Sequence, residues 1–233
     1  MLKTKKAVCV VIALVLALSC VVLGGCGAKS EIKGINTSKT ASSKADSDVA
    51  SQASDTSKPG EYKKPYTGKS RNVEIDVKDY GKIALKLDDT YAPITVENFL
   101  NLGNEGFYDG LTFHRIMENF MIQGGDPQGT GMGGSDITIK GEFSSNGVNN
   151  PLSHKRGVIS MARSSAPDSA SSQFFIVQAD STFLDGNYAA FGEVTSGMDV
   201  VDKIAKDAKP TDDNGTIPAD KQPVINSIKI IEE

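Results

Sequence analysis

The sequence predicts a mainly β domain, an antiparallel barrel with two helices, behind a polar tail and an apolar leader. Three observations carry that prediction. Short runs of alternating or apolar residues recur along the chain from about residue 70 onward, separated by Gly, Asp, Asn and Pro. Helical spacing of apolar residues occurs in two places there. Many short strands with turns between them, and few helices, is the pattern of an antiparallel barrel.

The elements follow in order. Asn72–Val77 alternates strictly, Tyr80-Gly81 is a turn, and Lys82–Leu87 alternates again, which makes a hairpin. Asp89-Thr90 offers a cap and Pro93 suits a first helical turn, after which Val96, Phe99, Leu100 and Leu102 keep helical spacing to Gly103 or Gly106. Leu111–Gln123 returns to strand pattern, and 124–134 is a glycine-rich loop. Gly157–Met161, Gln173–Val177 and Ala189–Val194 are short β-prone runs, and Ile137-Thr138-Ile139 resembles a strand as well. Met198, Val201, Ile204 and Ala205 have the spacing of a second short helix, and Val224–Ile231 alternates as a final strand.

The leader is separate from this domain. Met1–Lys6 is basic, Ala7–Leu23 is apolar, and Leu23-Gly24-Gly25-Cys26 ends in small residues and a cysteine. The pattern resembles the lipobox of bacterial lipoproteins, which implies a signal peptide over 1–25 and a diacylated Cys26. A retained transmembrane helix is the alternative, at the short limit for spanning. Two acyl chains on one residue suffice for stable anchoring. The other two cysteines, Cys9 and Cys20, lie within the leader, so the domain is expected to use no disulfide. Residues 26–68 comprise Cys26 and a Ser-, Lys- and Ala-rich stretch that buries too little apolar surface to offset its ordering entropy. Such a tether spans roughly 35 Å. Residues 69–233 form the domain. From Lys69 onward 15 Lys and Arg face 24 Asp and Glu, a net charge of −9, which argues against nucleic acid and against docking on anionic lipid.

The stretch most informative about chemistry is Phe113–Asp126. Alternation places Phe113, Arg115 and Met117 on one face, and Met121 and Gln123 on one face of a second run. An arginine and a glutamine beside aromatic and thioether side chains describe a pocket that holds something apolar and donates a hydrogen bond to it. The stretch contains no nucleophile and no cluster of metal-ligating residues. That points to a reaction that moves no atoms between molecules, or to plain binding.

Phe113-His114-Arg115, followed by Phe120-Met121-x-Gln123-Gly124-Gly125-Asp126, resembles the signature of the cyclophilin family of peptidyl-prolyl isomerases. Gly131-Met132-Gly133-Gly134, Ser160-Met161-Ala162, Ser172-Gln173-Phe174-Phe175-Ile176, Phe183-Leu184-Asp185-Gly186 and Phe191-Gly192 resemble further family motifs in the same order, across residues 71–231. The resemblance implies a closed eight-stranded antiparallel barrel capped by two helices. It implies catalytic roles for Arg115 and Gln123, and a proline-ring wall of Phe120, Met121, Phe175 and Leu184. It further implies substrate-chain contacts at Gly131, Ala162 and Gln173, with Phe183 and Tyr188 at the wall positions where this chain departs from the family. Many members have tryptophan at Phe183, histidine at Tyr188 and asparagine at Arg163. The first departure implies weak cyclosporin binding, and the last bears on the residue preferred beside the proline.

X–Pro rotation is slow because twisting breaks amide resonance, a barrier of about 18–20 kcal/mol. An apolar pocket favours the less dipolar twisted form. A donor aimed at the regained nitrogen lone pair stabilises only the transition state. Arg115, permanently charged and rigidly forked, suits that task. No proton moves in this rotation, so His114 is read as structural, and His154, in a polar stretch, is expected at the surface. Gly129–Gly134 satisfies G-x-G-x-x-G, but Pro127 precedes it and a strand-like run follows, against a dinucleotide site. Asp212–Gly215 is read as a solvated turn, since a calcium loop needs a later glutamate.

The expected protein is a monomeric isomerase without cofactor or metal, lipid-anchored on the extracytoplasmic face of a bacterial cell membrane. Its expected partners are proline-containing flexible polypeptides, whose folding after export it would assist. The alternative is a chaperone or adhesion module that holds proline segments, with incidental catalysis.

Overall fold

The computed structural model describes residues 70–231. The expectations for the signal peptide, for Cys26 and for the tether lie outside the described residues. Among the described residues, no helix is long and apolar enough to cross a membrane.

The order is β1 (Ser70–Val77), β2 (Gly81–Asp88), α1 (Pro93–Asn104), β3 (Thr112–Met117), β4 (Met121–Asp126), β5 (Val158–Met161), β6 (Phe174–Val177), β7 (Ala190–Ser196), α2 (Met198–Asp207) and β8 (Ile225–Ile231). Three short 3₁₀ turns interrupt the loops. The strands form one antiparallel sheet in the order β3-β4-β6-β5-β7-β2-β1-β8. Ile137–Ile139 makes no strand. Only an isolated bridge from Ile139 to Ala170 forms there.

The sheet curls but does not close fully, which corrects the closed barrel. Its ends are β3 and β8, and the reason lies in what pairs with the outer edge of β3. Ile116 N donates to Gly215 O at 2.8 Å and Ile217 N donates to His114 O at 3.0 Å, so the 215–217 loop occupies that edge. β8 approaches β3 only near the start of that strand, where Ile225 N donates to Leu111 O at 2.7 Å. Backbone donors at a sheet edge must be satisfied, and here a loop satisfies them in place of a strand.

Alternation fills the interior. Val73, Ile75 and Val77 of β1 and Ile83, Leu85 and Leu87 of β2 are buried in one cluster with Phe99, Phe113, Ile122, Phe174 and Phe191. Phe99 of α1 is the hub. Its ring lies 5.2 Å from Tyr108 and 5.3 Å from both Phe174 and Phe191. Tilted and edge-on pairs of this kind add about 0.5–1.5 kcal/mol each beyond the area they bury.

The cap expected from Asp89-Thr90 is not used at α1. Glu142, distant in sequence, receives Ile94 N at 3.1 Å, Thr95 N at 2.8 Å and the Thr95 hydroxyl at 2.7 Å. A carboxylate at the helix N-terminus also complements the helix dipole.

Candidate active site

The site lies on the other face of the same strands. Along β6, Phe174 and Ile176 enter the main core, while Phe175 and Val177 join Met121 in a second, smaller cluster. Phe120, Ala162, Leu184 and Tyr188 pack against that cluster. The period of two therefore sorts one apolar strand into two functions.

β3 departs from simple alternation. Its pairing with β4 shifts between Phe113 and Arg115. The extra residue turns Phe113 into the main core while Arg115 stays on the site face. Phe113 therefore does not share a face with Arg115 and Met117. The expectation that Met121 and Gln123 share one face agrees with the structure.

Above the second cluster is a cavity of about 320 Å³. Of the residues expected at the site, Arg115, Phe120, Met121, Gln123, Gly131, Ala162, Phe175, Leu184 and Tyr188 line it. Gln173 stands behind Gln123, and Phe183 is 71% exposed, its ring 5.5 Å from that of Phe120. His114, Thr130, Met132, Arg163, Asn214 and Thr216 complete the lining.

A relay of hydrogen bonds fixes the polar wall. Arg115 Nε donates to Asn214 O at 2.7 Å, Nη1 to Gln123 Oε1 at 3.1 Å, and Nη2 to Met117 Sδ at 3.3 Å. A guanidinium only donates, so the Gln123 amide oxygen must face it and the amide nitrogen must face away. Gln123 Nε2 then donates to Gln173 Oε1 at 2.8 Å, and Gln173 Nε2 donates to Gly133 O at 2.7 Å and Gly131 O at 3.1 Å. Burial pushes the Arg115 guanidinium below its ordinary pKa, against the pull of Tyr188 and Asp212, yet an arginine stays charged.

The glycine loop is tied down by Asp126. Its carboxylate accepts the backbone N–H groups of Gln128 at 2.8 Å, Thr130 at 3.0 Å, Gly131 at 2.6 Å and Gly133 at 3.2 Å. Burial alone would raise this carboxyl, but those donors outweigh it and hold it below the usual range. A Cβ at Gly133 would collide with Asp126 Oδ1, so glycine is required there. No helix follows the loop, in keeping with the reading against a dinucleotide site.

Of the two histidines, His154 departs from its expected place. His114 is buried and forms part of the cavity wall, and its two ring nitrogens have no partner among the described residues. Burial pushes its imidazole below the ordinary value, so it is neutral at pH 7. His154, expected at the surface, is fully buried: its ring stacks on Phe175 at 6.0 Å and bonds Asp185 and Ser160. Asp212–Gly215 is a turn closed by Asp212 Oδ1, which accepts Asn214 N and Thr216 N at 3.0 Å each. It carries the Asn214 carbonyl that holds Arg115. Nothing local in the sequence marks that pairing.

A cavity with an apolar floor and a fixed cationic donor at its wall suits a bond-rotating isomerase. Residues 72–232 match the family described as "Cyclophilin type peptidyl-prolyl cis-trans isomerase/CLD". The chain belongs to that family, and it is a peptidyl-prolyl cis-trans isomerase. It is 48% identical over 123 residues to peptidyl-prolyl cis-trans isomerase B of Bacillus subtilis, a match covering 53% of this chain and 82% of that one. It is 44% identical over 163 residues to peptidyl-prolyl cis-trans isomerase A of Dickeya dadantii, covering 66% and 81%. Its fold is similar to that of a cyclophilin-type isomerase from Cryptosporidium parvum, solved in the presence of the dipeptide Ala-Pro. That likeness has a TM-score of 0.61, with 31% identity over 70% of this chain and 99% of the other.

Proposed function

We propose that this chain accelerates X–Pro rotation in exported polypeptides while held by lipid at Cys26 on the outer face of a bacterial membrane. The observation that carries the catalytic assignment is the fixed guanidinium of Arg115 beside the apolar wall of Phe120, Met121, Phe175 and Leu184. In this reading the proline ring rests on that wall and Arg115 donates to the proline nitrogen as the bond twists. Gln123, its amide orientation set by Arg115 and Gln173, holds the neighbouring peptide group. Gly131, Ala162, Gln173, Phe183 and Tyr188 guide the flanking chain. The export role rests on the basic, apolar and small-residue order of Met1–Cys26 and on the polar stretch behind it. Cyclosporin would bind weakly, since Phe183 offers a smaller ring than tryptophan and no N–H.

A holding role for proline segments is the second reading. Two large exposed apolar residues could grip an extended chain: Met132, 88% exposed, lines the cavity, and Phe183, 71% exposed, lies against Phe120 of its wall. The two readings separate on Arg115→Ala, assayed by isomerisation of an X–Pro peptide. The catalytic reading expects a loss of about a hundredfold or more, with the melting curve little changed. A variant as fast as wild type would overturn the assignment to Arg115.

A further inference from the structure

We infer that Arg163 is a specificity-determining residue, directing the site toward proline segments that carry a carboxylate side chain next to the proline. The inference rests on the reading above, in which the proline ring occupies the apolar part of the cavity.

Arg163 follows directly on Ala162 and lines the same cavity as Arg115. Its guanidinium lies between two rings, 4.9 Å from the centroid of Phe143 and 4.9 Å from that of Tyr188. Nε and Nη2 donate to Asn187 O at 2.9 and 2.8 Å, and Nη1 donates to Ser164 O at 2.9 Å and Ser165 O at 3.3 Å. These contacts use four of the five N–H donors of an arginine and leave one on Nη2. Every acceptor is a main-chain carbonyl. Among the described residues, no carboxylate lies within ion-pair distance of Arg163.

Arg115 is in the same position, since its acceptors are a carbonyl, an amide and a thioether. The cavity lining therefore carries two permanent positive charges, and among the described residues it contains no Asp or Glu. This stands out in a chain that is net acidic from Lys69 onward, with 24 Asp and Glu against 15 Lys and Arg. The lining side chains are thus cationic within a net acidic domain, with Asp212 near enough to act on Arg115 but not itself lining the cavity. The flanking rings hold the Arg163 charge in place before any ligand arrives, so an incoming carboxylate need not order it. An incoming ammonium would meet the same charge as repulsion.

A purely structural arginine, stapling Phe143 to the Tyr188 loop, would change the rate on all peptides by one common factor. The test is therefore a ratio. kcat/KM is measured on the full-length chain for peptides with Glu, Gln or Lys immediately before the proline, and for a second set with these residues immediately after it. In at least one set the Glu-to-Lys ratio is expected to fall roughly fivefold in Arg163→Gln, to persist in Arg163→Lys and to invert in Arg163→Glu. The wild-type ratio should shrink as salt is raised, a readout that needs no variant to fold. A ratio that is independent of both residue 163 and salt overturns the inference while leaving the isomerase site intact. A neutral Gln-Pro peptide that wild type does not accelerate would instead fail the underlying site reading, and this inference with it.

Discussion

His154 shows how much of the site depends on residues that never touch the cavity. Its Nδ1 lies 2.8 Å from Asp185 Oδ1 and its Nε2 lies 3.0 Å from Ser160 Oγ. Asp185 also receives the His154 backbone N–H at 2.7 Å and the Ser153 hydroxyl at 2.7 Å. A carboxylate only accepts, so Nδ1 carries the proton and Nε2 accepts from Ser160. The neutral ring thus braces Phe175 from behind. Burial pushes the His154 imidazole below its ordinary value, outweighing Asp185, and burial does the same to His114. With the folded pKa below the unfolded one, the unfolded state takes up more protons as pH falls below about 6.5. Stability should therefore be full above that pH and decline beneath it, by at most about 1.4 kcal/mol per pH unit for each imidazole. His154→Gln should make that slope shallower in urea melts taken between pH 7 and 5, leaving the part due to His114. An unchanged slope would mean that His154 is not held neutral by the fold. The surface placement expected from its polar neighbours fails because Asp185, 31 residues away, and Ser160 satisfy the buried ring while Lys155 and Arg156 beside it stay exposed, and a local polarity count cannot register that.

At the scale of elements, the strands and helices were legible and their terminations were not. Runs such as Asn72–Val77 and Lys82–Leu87 fall within β1 and β2, because period-two burial on a curled sheet is written directly into alternation. The bulge in β3 and the missing strand at Ile137–Ile139 were not legible, since each depends on which partner strand is available. The start of α1 is the same kind of case, with Glu142 supplying from the far side of a loop what Asp89-Thr90 would have supplied locally. Glu142→Ala should cost about 1–2 kcal/mol, since three bonds to the helix N-terminus and a favourable dipole contact are lost. In a domain of this size that corresponds to a melting-point drop of about 2–8 °C. Glu142→Gln, which keeps one acceptor, should lose less. Equal stability of both variants with wild type would show that the helix start is satisfied otherwise. On the surface, Arg156 Nη1 and Nη2 grip Asp202 at 2.8 and 2.7 Å and tie the turn before β5 to α2. Both partners are exposed enough that this pair contributes no more than about 1 kcal/mol.

For the whole molecule, the sheet has two uses. One face is core, and the other carries a small apolar cluster open to a cavity, with charged and amide groups at its edge. The proposed tether would hold that cavity away from the membrane within reach of emerging chains. Cys26→Ala should abolish incorporation of labelled fatty acid and release the protein from the membrane fraction. Label retained by that variant would rule out Cys26 as the anchor. The sequence by itself determined the family, most of the strands and both helices, and it singled out Arg115, Gln123 and the apolar residues that line the cavity, while the leader and its cysteine remain a proposal read from residue pattern alone. Those features are carried by periodicity and by motifs of adjacent residues. Only the tertiary structure decided that β6 splits between core and site, that a loop seals the edge of β3, that His154 lies beneath Phe175, and that Arg163 stands between two rings. Each of these depends on groups far apart along the chain, as with Arg115 and the Asn214 carbonyl 99 residues away. Their meeting is fixed by how the sheet curls, and no local pattern encodes it.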